Sequence, residues 1–178
     1  LSATVVSADG IAPSGTISFS DGSVALGSCS TTTGTCSIVV STLAVGDHAA
    51  IVAGFGGSSA HAPSAGTAPT VTILAAPTTT TITTSAASSP LGAAVTYTVT
   101  VTSIGGTPTG TVTVSDGTTL LGTCSLTGGT CAVTTRSVAF GSRTIVATYA
   151  GDGSRAASTG SVAQAITPAI TTLALVSS

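Results

Sequence analysis

The chain has 178 residues and a formal net charge of −2, and Thr, Ser, Ala and Gly together supply 113 of the residues. Charged side chains make up 4% of the chain, against about 25% in an average soluble domain. Three Arg and no Lys argue against nucleic-acid binding, five Asp and no Glu leave few catalytic acids or bases, and no apolar run is long enough to span a membrane.

An internal repeat organises the chain. The segment from Pro13 to Gly46 is repeated from Pro108 to Gly141, and 16 of the 34 aligned positions are identical. The identities include both cysteines of each copy and an Asp-Gly pair, which low complexity would not align by chance. One extra residue near 49–50 then aligns Phe55 with Tyr149. The sequence therefore predicts two copies of one domain.

The repeated segments have the pattern of β-strands. From Val95 to Val101 apolar residues alternate with Thr, the period-2 pattern of a half-buried strand. Asp-Gly and Gly-Gly pairs separate the segments, and no segment has a helical apolar period. Further strands are predicted, in chain order, at Thr111–Ser115, Thr119–Ser125, Thr130–Thr135, Arg143–Tyr149 and Ser161–Thr167. We predict an all-β fold of two tandem immunoglobulin-like antiparallel sandwiches.

The second copy resembles a known family. PTGTVTVSDGTTLLGT (Pro108–Thr123) and YAGDGSRAAS (Tyr149–Ser158) are similar to the bacterial Ig-like repeat found in tandem in large surface proteins. TTTTITTS (Thr78–Ser85) resembles the opening strand of that family. The resemblance implies a secreted bacterial protein with a structural or adhesive role, at the cell surface or outside the cell.

The ends of the two copies do not match. Aligned on the repeat, Leu1 lies opposite Thr96, so the first copy (1–75) lacks an opening strand. The second copy (76–167) is complete, yet the chain continues to Ser178. Aligned on Pro77, residues 168–178 repeat the opening strand. We predict that this segment is a donor strand for the first domain of a next unit.

Two arrangements satisfy this match, and the sequence leaves both open. The chain is a two-repeat window of a longer covalent array, or it is a subunit that polymerises head to tail by strand addition. A flexible tail is the alternative to both. The residues predicted to form the assembly strand are Pro168, Ile170, Leu173, Leu175 and Val176. The predicted partners are copies of the chain itself.

The four cysteines form two C-x6-C pairs, Cys29 with Cys36 and Cys124 with Cys131. Their repetition at equivalent positions favours one disulfide in each domain, with the partners facing each other across a hairpin. Zinc is the alternative, but zinc sites favour shorter spacings and four converging ligands. Disulfides indicate an oxidising compartment.

A few polar and aromatic residues are candidates for catalysis, metal binding or glycan binding. A catalytic triad built on His48 or His61 has no supporting motif, so no enzyme activity and no cofactor are predicted. Asp152 is predicted to cap a turn, with weak calcium binding as the alternative. Phe140 is the one aromatic residue expected to be exposed. It offers the best candidate contact for a host or cell-surface glycan, the alternative to a structural role in a filament or surface stalk.

Overall fold

The computed structural model describes residues 1–175, which form two compact units, one from Leu1 to Leu74 and one that begins at Ala75. Sixteen β-strands and no helix occur among these residues, so none of them forms a helix that could cross a membrane. The predicted all-β class is confirmed. Each unit has eight strands, and the second unit, whose strands contain more residues, is described first.

Eight strands build the second unit. They are β9 (Thr78–Thr84), β10 (Ser88–Pro90), β11 (Val95–Ser103), β12 (Thr111–Asp116), β13 (Thr119–Ser125), β14 (Thr130–Thr135), β15 (Gly141–Tyr149) and β16 (Ser158–Thr167). They form a five-stranded sheet in the order β10-β16-β15-β12-β13 and a three-stranded sheet in the order β14-β11-β9. All pairings are antiparallel except the short parallel pairing of β10 with β16. No strand is predicted from the sequence at β10.

The core of the second unit follows from the alternation of its strands. The odd-numbered residues of β11 from Val95 to Val101 are buried, and Thr residues between them face outward. Thirteen buried residues from both sheets form one cluster. The opening strand β9 contributes Ile82 to this cluster and pairs with β11 along its whole length.

The first unit repeats this plan with a gap. Its strands are β1 (Ser2–Thr4), β2 (Gly15–Asp21), β3 (Val24–Thr31), β4 (Thr35–Ser37), β5 (Gly46–His48), β6 (Ile51–Phe55), β7 (Ser64–Thr67) and β8 (Val71–Ile73). One sheet has the order β3-β2-β6-β7, while β1-β4 and β5-β8 form two-stranded sheets. The long hairpin β15-β16 of the second unit corresponds in the first unit to two shorter pairs, β5-β8 and β6-β7. The hairpin is interrupted there because each of its two chain segments has one extra residue between the pairs.

The Asp-Gly pairs form the predicted hairpin turns. Asp21 ends β2, Val24 begins β3, and Gly22 between them has φ of 55°. Gly117 has φ of 58° at the same place in the second unit. Positive φ at the first central residue suits Gly and matches the twist of the flanking strands.

The structure corrects the alignment of β1 by one residue. Ala3 pairs with Cys36 as Val99 pairs with Cys131, so Ala3 is the counterpart of Val99. Leu1 therefore lies at the position of Tyr97 rather than Thr96. The cause is the loop after β1, which is one residue longer than the loop after β11. The sequence alignment begins at Pro13, after this loop, and therefore does not account for the extra residue.

Candidate assembly groove

The first unit has an open groove where the second unit has its opening strand. In the second unit β9 pairs with β11 and contacts β16. Among residues 1–175, no strand occupies the equivalent place between β1 and β7. The structure has there a groove of about 400 Å³, lined by β1, β7 and the inward side chains of β2 and β6, including Ile17, Phe19 and Phe55. We call it the assembly groove.

The assembly groove leaves part of the core of the first unit exposed. Tyr97, Val99 and Val101 of β11 are 0–1% exposed. Their counterparts Leu1, Ala3 and Val5 are only half-buried. The buried cluster of the first unit accordingly has three members, Ile17, Phe19 and Phe55. A single additional strand over the groove would remove this apolar surface from water.

Two equivalent glycines mark the wall of the groove. Gly160 in β16 lies against the backbone of β9, and a Cβ on it would collide with the carbonyl oxygen of Thr80. Gly66 in β7 is its counterpart, and a Cβ on Gly66 would meet no atom within 4 Å. Gly66 thus faces open space at the position where Gly160 contacts the opening strand of its own unit. No sequence motif marks Gly66, and only its alignment with Gly160 could have pointed to it.

Residues 168–175 are exposed and belong to no strand. Ile170, Leu173 and Leu175 are 86%, 99% and 98% exposed, and Pro168 is also exposed. Val176, the fifth residue predicted for the assembly strand, lies outside the described residues. Large apolar side chains in this setting are typical of a segment with a binding partner.

Both disulfides are present in the predicted pairing. Cys29 is bonded to Cys36 and Cys124 to Cys131, with Cα–Cα distances of 6.0 and 5.8 Å. The predicted geometry is wrong, because the partners do not face each other across a hairpin. Cys29 and Cys124 lie on edge strands of one sheet, and their partners on strands of the other sheet. Each disulfide therefore joins two sheets of its unit where the chain passes from one to the other.

An ion pair occupies the same place in both units with different cations. In the first unit Nδ1 of His48 lies 2.6 Å from a carboxylate oxygen of Asp21, and Nε2 lies 2.9 Å from the carbonyl oxygen of Ala44. In the second unit Nε of Arg143 donates to Asp116 at 2.7 Å. The two acceptors favour a doubly protonated imidazole. The Ala44 carbonyl and then the Asp21 carboxylate raise the pKa of His48 above 6.5, and Asp47 adds to this effect.

We expect the first unit to be more stable at pH 5 than at pH 8. A group whose pKa is raised by folding stabilises the folded state below its unfolded pKa, and this contribution is lost as the pH rises through the folded pKa. His48→Arg should remove the dependence, because Arg stays charged across this range. Far-UV circular dichroism during heating records the unfolding of both units. Both tyrosines of the chain, Tyr97 and Tyr149, lie in the second unit, so tyrosine fluorescence records the unfolding of that unit alone and identifies the transition of the first unit by difference. Equal midpoints for the first unit at both pH values would contradict the prediction.

The second histidine lies in a turn. Oγ of Ser58 lies 3.3 Å from Nδ1 of His61, and Nε2 of His61 lies 3.5 Å from a carboxylate oxygen of Asp9. These are the residue types of a triad, but the Ser58 hydroxyl accepts the backbone N–H groups of Ala60 and His61. A hydroxyl held in this way closes a turn.

Asp152 closes the equivalent turn in the second unit. Its carboxylate accepts the backbone N–H groups of Ser154 and Thr109 and forms an ion pair with Arg155 at 3.1 Å. The hydrogen bond from Ser154, followed by those from Thr109, lowers its pKa well below the usual range. Within residues 1–175 no group of three or more His, Cys, Asp or Glu side chains is arranged to hold a metal. The contacts give Asp152 the capping role.

Four of the five aromatic rings are buried and one is exposed. Phe19, Phe55, Tyr97 and Tyr149 are 0–3% exposed, whereas Phe140 is 59% exposed in the loop before β15. The predicted exposure of Phe140 agrees with this. Glycan binding through that ring stays a prediction.

Comparison with known proteins places the fold. The model of the bacterial Ig-like domain (group 3) matches residues 1–74 and 81–167. No curated protein sequence matches the chain. The chain is similar to the fibronectin(III)-like modules of Clostridium thermocellum CbhA, with 16% identity over 92% of this chain and 83% of that one, and a TM-score of 0.41.

A second solved structure is a 1.5-MDa bacterial ice-binding adhesin. It is described in connection with host cell surface retention, and it matches at 14% identity with a TM-score of 0.39. The match covers 94% of this chain and 57% of that one. The two family matches, one on each unit, agree with the sandwich architecture, the repeated turns and the opening strand of the second unit. The chain belongs to the bacterial Ig-like domain (group 3) family.

Proposed function

We propose that the chain is a structural module of an extracellular bacterial filament or surface stalk, assembled head to tail by strand addition. The donor is the segment from Pro168 to Ser178, and the acceptor is the assembly groove of a second copy. The observation that carries the proposal is the match between Gly66, which faces open space, and Gly160, which contacts the opening strand. Family membership supports a structural module of the surface type.

The pairing of β9 with β11 supplies the register. In the second unit Ile82 pairs with Val99 and Thr80 with Val101. Leu173 is the counterpart of Ile82, and Ala3 is the counterpart of Val99, so Leu173 pairs with Ala3 of the acceptor. Ile82 is 7% exposed in its groove, whereas Leu173 is 99% exposed in the single chain. Docking would give Leu173 the burial that Ile82 has, worth about 1.5–3 kcal/mol for a side chain of this size.

A polar contact of the opening strand is retained as well. Oγ1 of Thr80 lies 2.7 Å from Oγ of Ser158, and Thr80 is 5% exposed. The counterparts are Thr171 in the donor segment and Ser64 in β7. Both carry hydroxyls, so the buried threonine of the donor keeps a hydrogen-bonding partner.

The proposed contact is heterologous, since the donor and the acceptor are different surfaces of the chain. Such contacts repeat without closing unless the rotation between subunits forms a ring, and they build filaments. The disulfides and the family are consistent with a location outside the cell. The composition fits this role, because a surface with few charges offers little repulsion between neighbouring copies.

Cysteine cross-linking tests the proposal. The chain with Thr171→Cys and Ser64→Cys should form disulfide-linked dimers and longer multimers on oxidation, because the equivalent hydroxyls of Thr80 and Ser158 are 2.7 Å apart. The matched control replaces Thr172 instead of Thr171. Its counterpart Thr81 faces outward, so this pair should form no ladder. The products are resolved by non-reducing gel electrophoresis.

Three results would overturn the proposal. The first is the absence of any cross-link with Thr171→Cys. The second is an equally efficient ladder with Thr172→Cys, which would mean unspecific collision. The third is a monomer with an internal cross-link, which would mean that the segment occupies the groove of its own chain.

A further inference from the structure

The second unit contains a buried polar cluster at the end of its opening strand. Gln164 is 1% exposed, and its Oε1 lies 2.7 Å from Oγ1 of Thr84 and 3.4 Å from the hydroxyl of Tyr97. The three residues come from β9, β11 and β16. The Thr84 hydroxyl and the Gln164 amide nitrogen also contact the carbonyl oxygens of Ala86 and Ala165. The buried Oε1 of Gln164 is satisfied by the two hydroxyls, and a buried polar atom without a partner costs about 1–3 kcal/mol.

The counterparts of all three residues are apolar in the first unit and in its proposed donor. Leu1 stands at the position of Tyr97, by the register of β1 with β4. Val71 stands at the position of Gln164, since Val71 pairs with His48 as Gln164 pairs with Arg143. Leu175 stands at the position of Thr84, by the alignment on Pro77. The donor segment thus has an apolar residue in place of the polar residue of β9, and the first unit has apolar residues in place of the two polar partners of the second unit.

From this correlated difference we propose that Leu175, Leu1 and Val71 form the specificity contact of the assembly, and this inference rests on the proposed function. The donor segment is selected by the groove of a first unit, because Leu175 there packs against Leu1 and Val71. In a second-unit groove Leu175 would leave Gln164 and Tyr97 without the Thr84 hydroxyl. Conversely, β9 in a first-unit groove would bury Thr84 between two apolar side chains.

The contact disfavours both wrong pairings, the donor segment in a second-unit groove and β9 in a first-unit groove. Specific interfaces discriminate between partners of similar shape in this way. It protects the second unit from exchange of its own opening strand for the donor segment of another copy. It also makes the assembly head to tail, because every donor segment binds to the first unit of another copy.

A rescue experiment on the full chain tests the inference. Leu175→Thr should weaken self-association at least about tenfold, because the buried hydroxyl lacks a partner. The double substitution Leu1→Tyr with Val71→Gln should weaken it to a similar extent. The chain with all three substitutions rebuilds the cluster of the second unit and should recover most of the lost association. Sedimentation velocity over a concentration series measures the association.

Ile104→Thr is the matched control. Ile104 is 92% exposed in the second unit, outside the donor segment and outside the lining of the assembly groove, so this variant should associate like the unsubstituted chain. Circular dichroism of the dilute chains checks that the substitutions leave each unit folded. Leu175 is 98% exposed in the single chain, and Leu175→Thr should not change its unfolding.

The outcomes separate the inference from the function on which it rests. Association without loss in Leu175→Thr, or losses that add in the triple variant, would overturn the specificity contact and leave strand addition standing. No association of the unsubstituted chain at any concentration would overturn both. Recovery in the triple variant, beyond the level of either parent, supports the inference.

Discussion

Gly66→Ala is expected to abolish self-association while leaving the fold of the single chain unchanged. In the single chain a Cβ at this position meets no atom within 4 Å, and the backbone of Gly66 is outside the positive-φ region that requires glycine. At the equivalent Gly160, a Cβ would collide with the carbonyl oxygen of Thr80. A donor strand seated in the same way would meet the added methyl group with its backbone at Thr171, and a backbone atom cannot move aside without loss of the pairing with β1.

The effect should exceed that of any single donor side chain, because the clash displaces the strand rather than one contact. Sedimentation velocity and electron microscopy measure the loss of assemblies. Gly54→Ala is the control, since Gly54 pairs with Ala65 in the same sheet and a Cβ there makes only an ordinary contact of 3.5 Å with Ser18. Filaments of normal length from Gly66→Ala chains would exclude the proposed seating of the donor.

Removal of the disulfide is expected to unfold the first unit and only to destabilise the second. For a loop of this length the bond contributes about 2.5 kcal/mol, by restricting the unfolded chain. The second unit has thirteen residues in its buried cluster, and the first has three. A loss of this size exceeds what a small core with an open groove can offset. Cys29→Ala with Cys36→Ala should therefore leave the first unit largely unfolded at 37 °C.

The equivalent pair, Cys124→Ala with Cys131→Ala, should lower the unfolding midpoint of the second unit by about 10–20 °C. Tyrosine fluorescence follows this unit alone, and far-UV circular dichroism follows both. An unchanged dichroism spectrum at 37 °C for the first pair would contradict the expectation. Neither bond links one chain to another, because each lies within one unit.

The small core of the first unit makes the stability of that unit dependent on assembly. A donor strand binds the folded first unit and has no site on the unfolded one, so its binding stabilises that unit by mass action. The pH dependence expected from His48 acts on the same unit. The second unit, with Arg143 in place of His48 and its own β9 in place, depends on neither.

Much of the fold follows from local sequence pattern. The strands of the second unit were predictable because Thr alternates with apolar residues over β11 and the Asp-Gly turns separate β12 from β13. A period of two and a turn residue act over a few positions, so they can be read without knowledge of the fold. The short strand β10 has neither pattern. It forms because β16 offers it a partner.

The sequence by itself determined the all-β class, the duplication, the cysteine pairs and the resemblance of residues 168–178 to an opening strand, since each of these depends on residues close in sequence or on repetition. Only the tertiary structure decided that the disulfides join two sheets, that Leu1 takes the place of Tyr97, and that Gly66 and Leu1 border one groove. These facts depend on which strands become neighbours across the sandwich. That choice is made by the burial of side chains distant in sequence, and no local pattern records it.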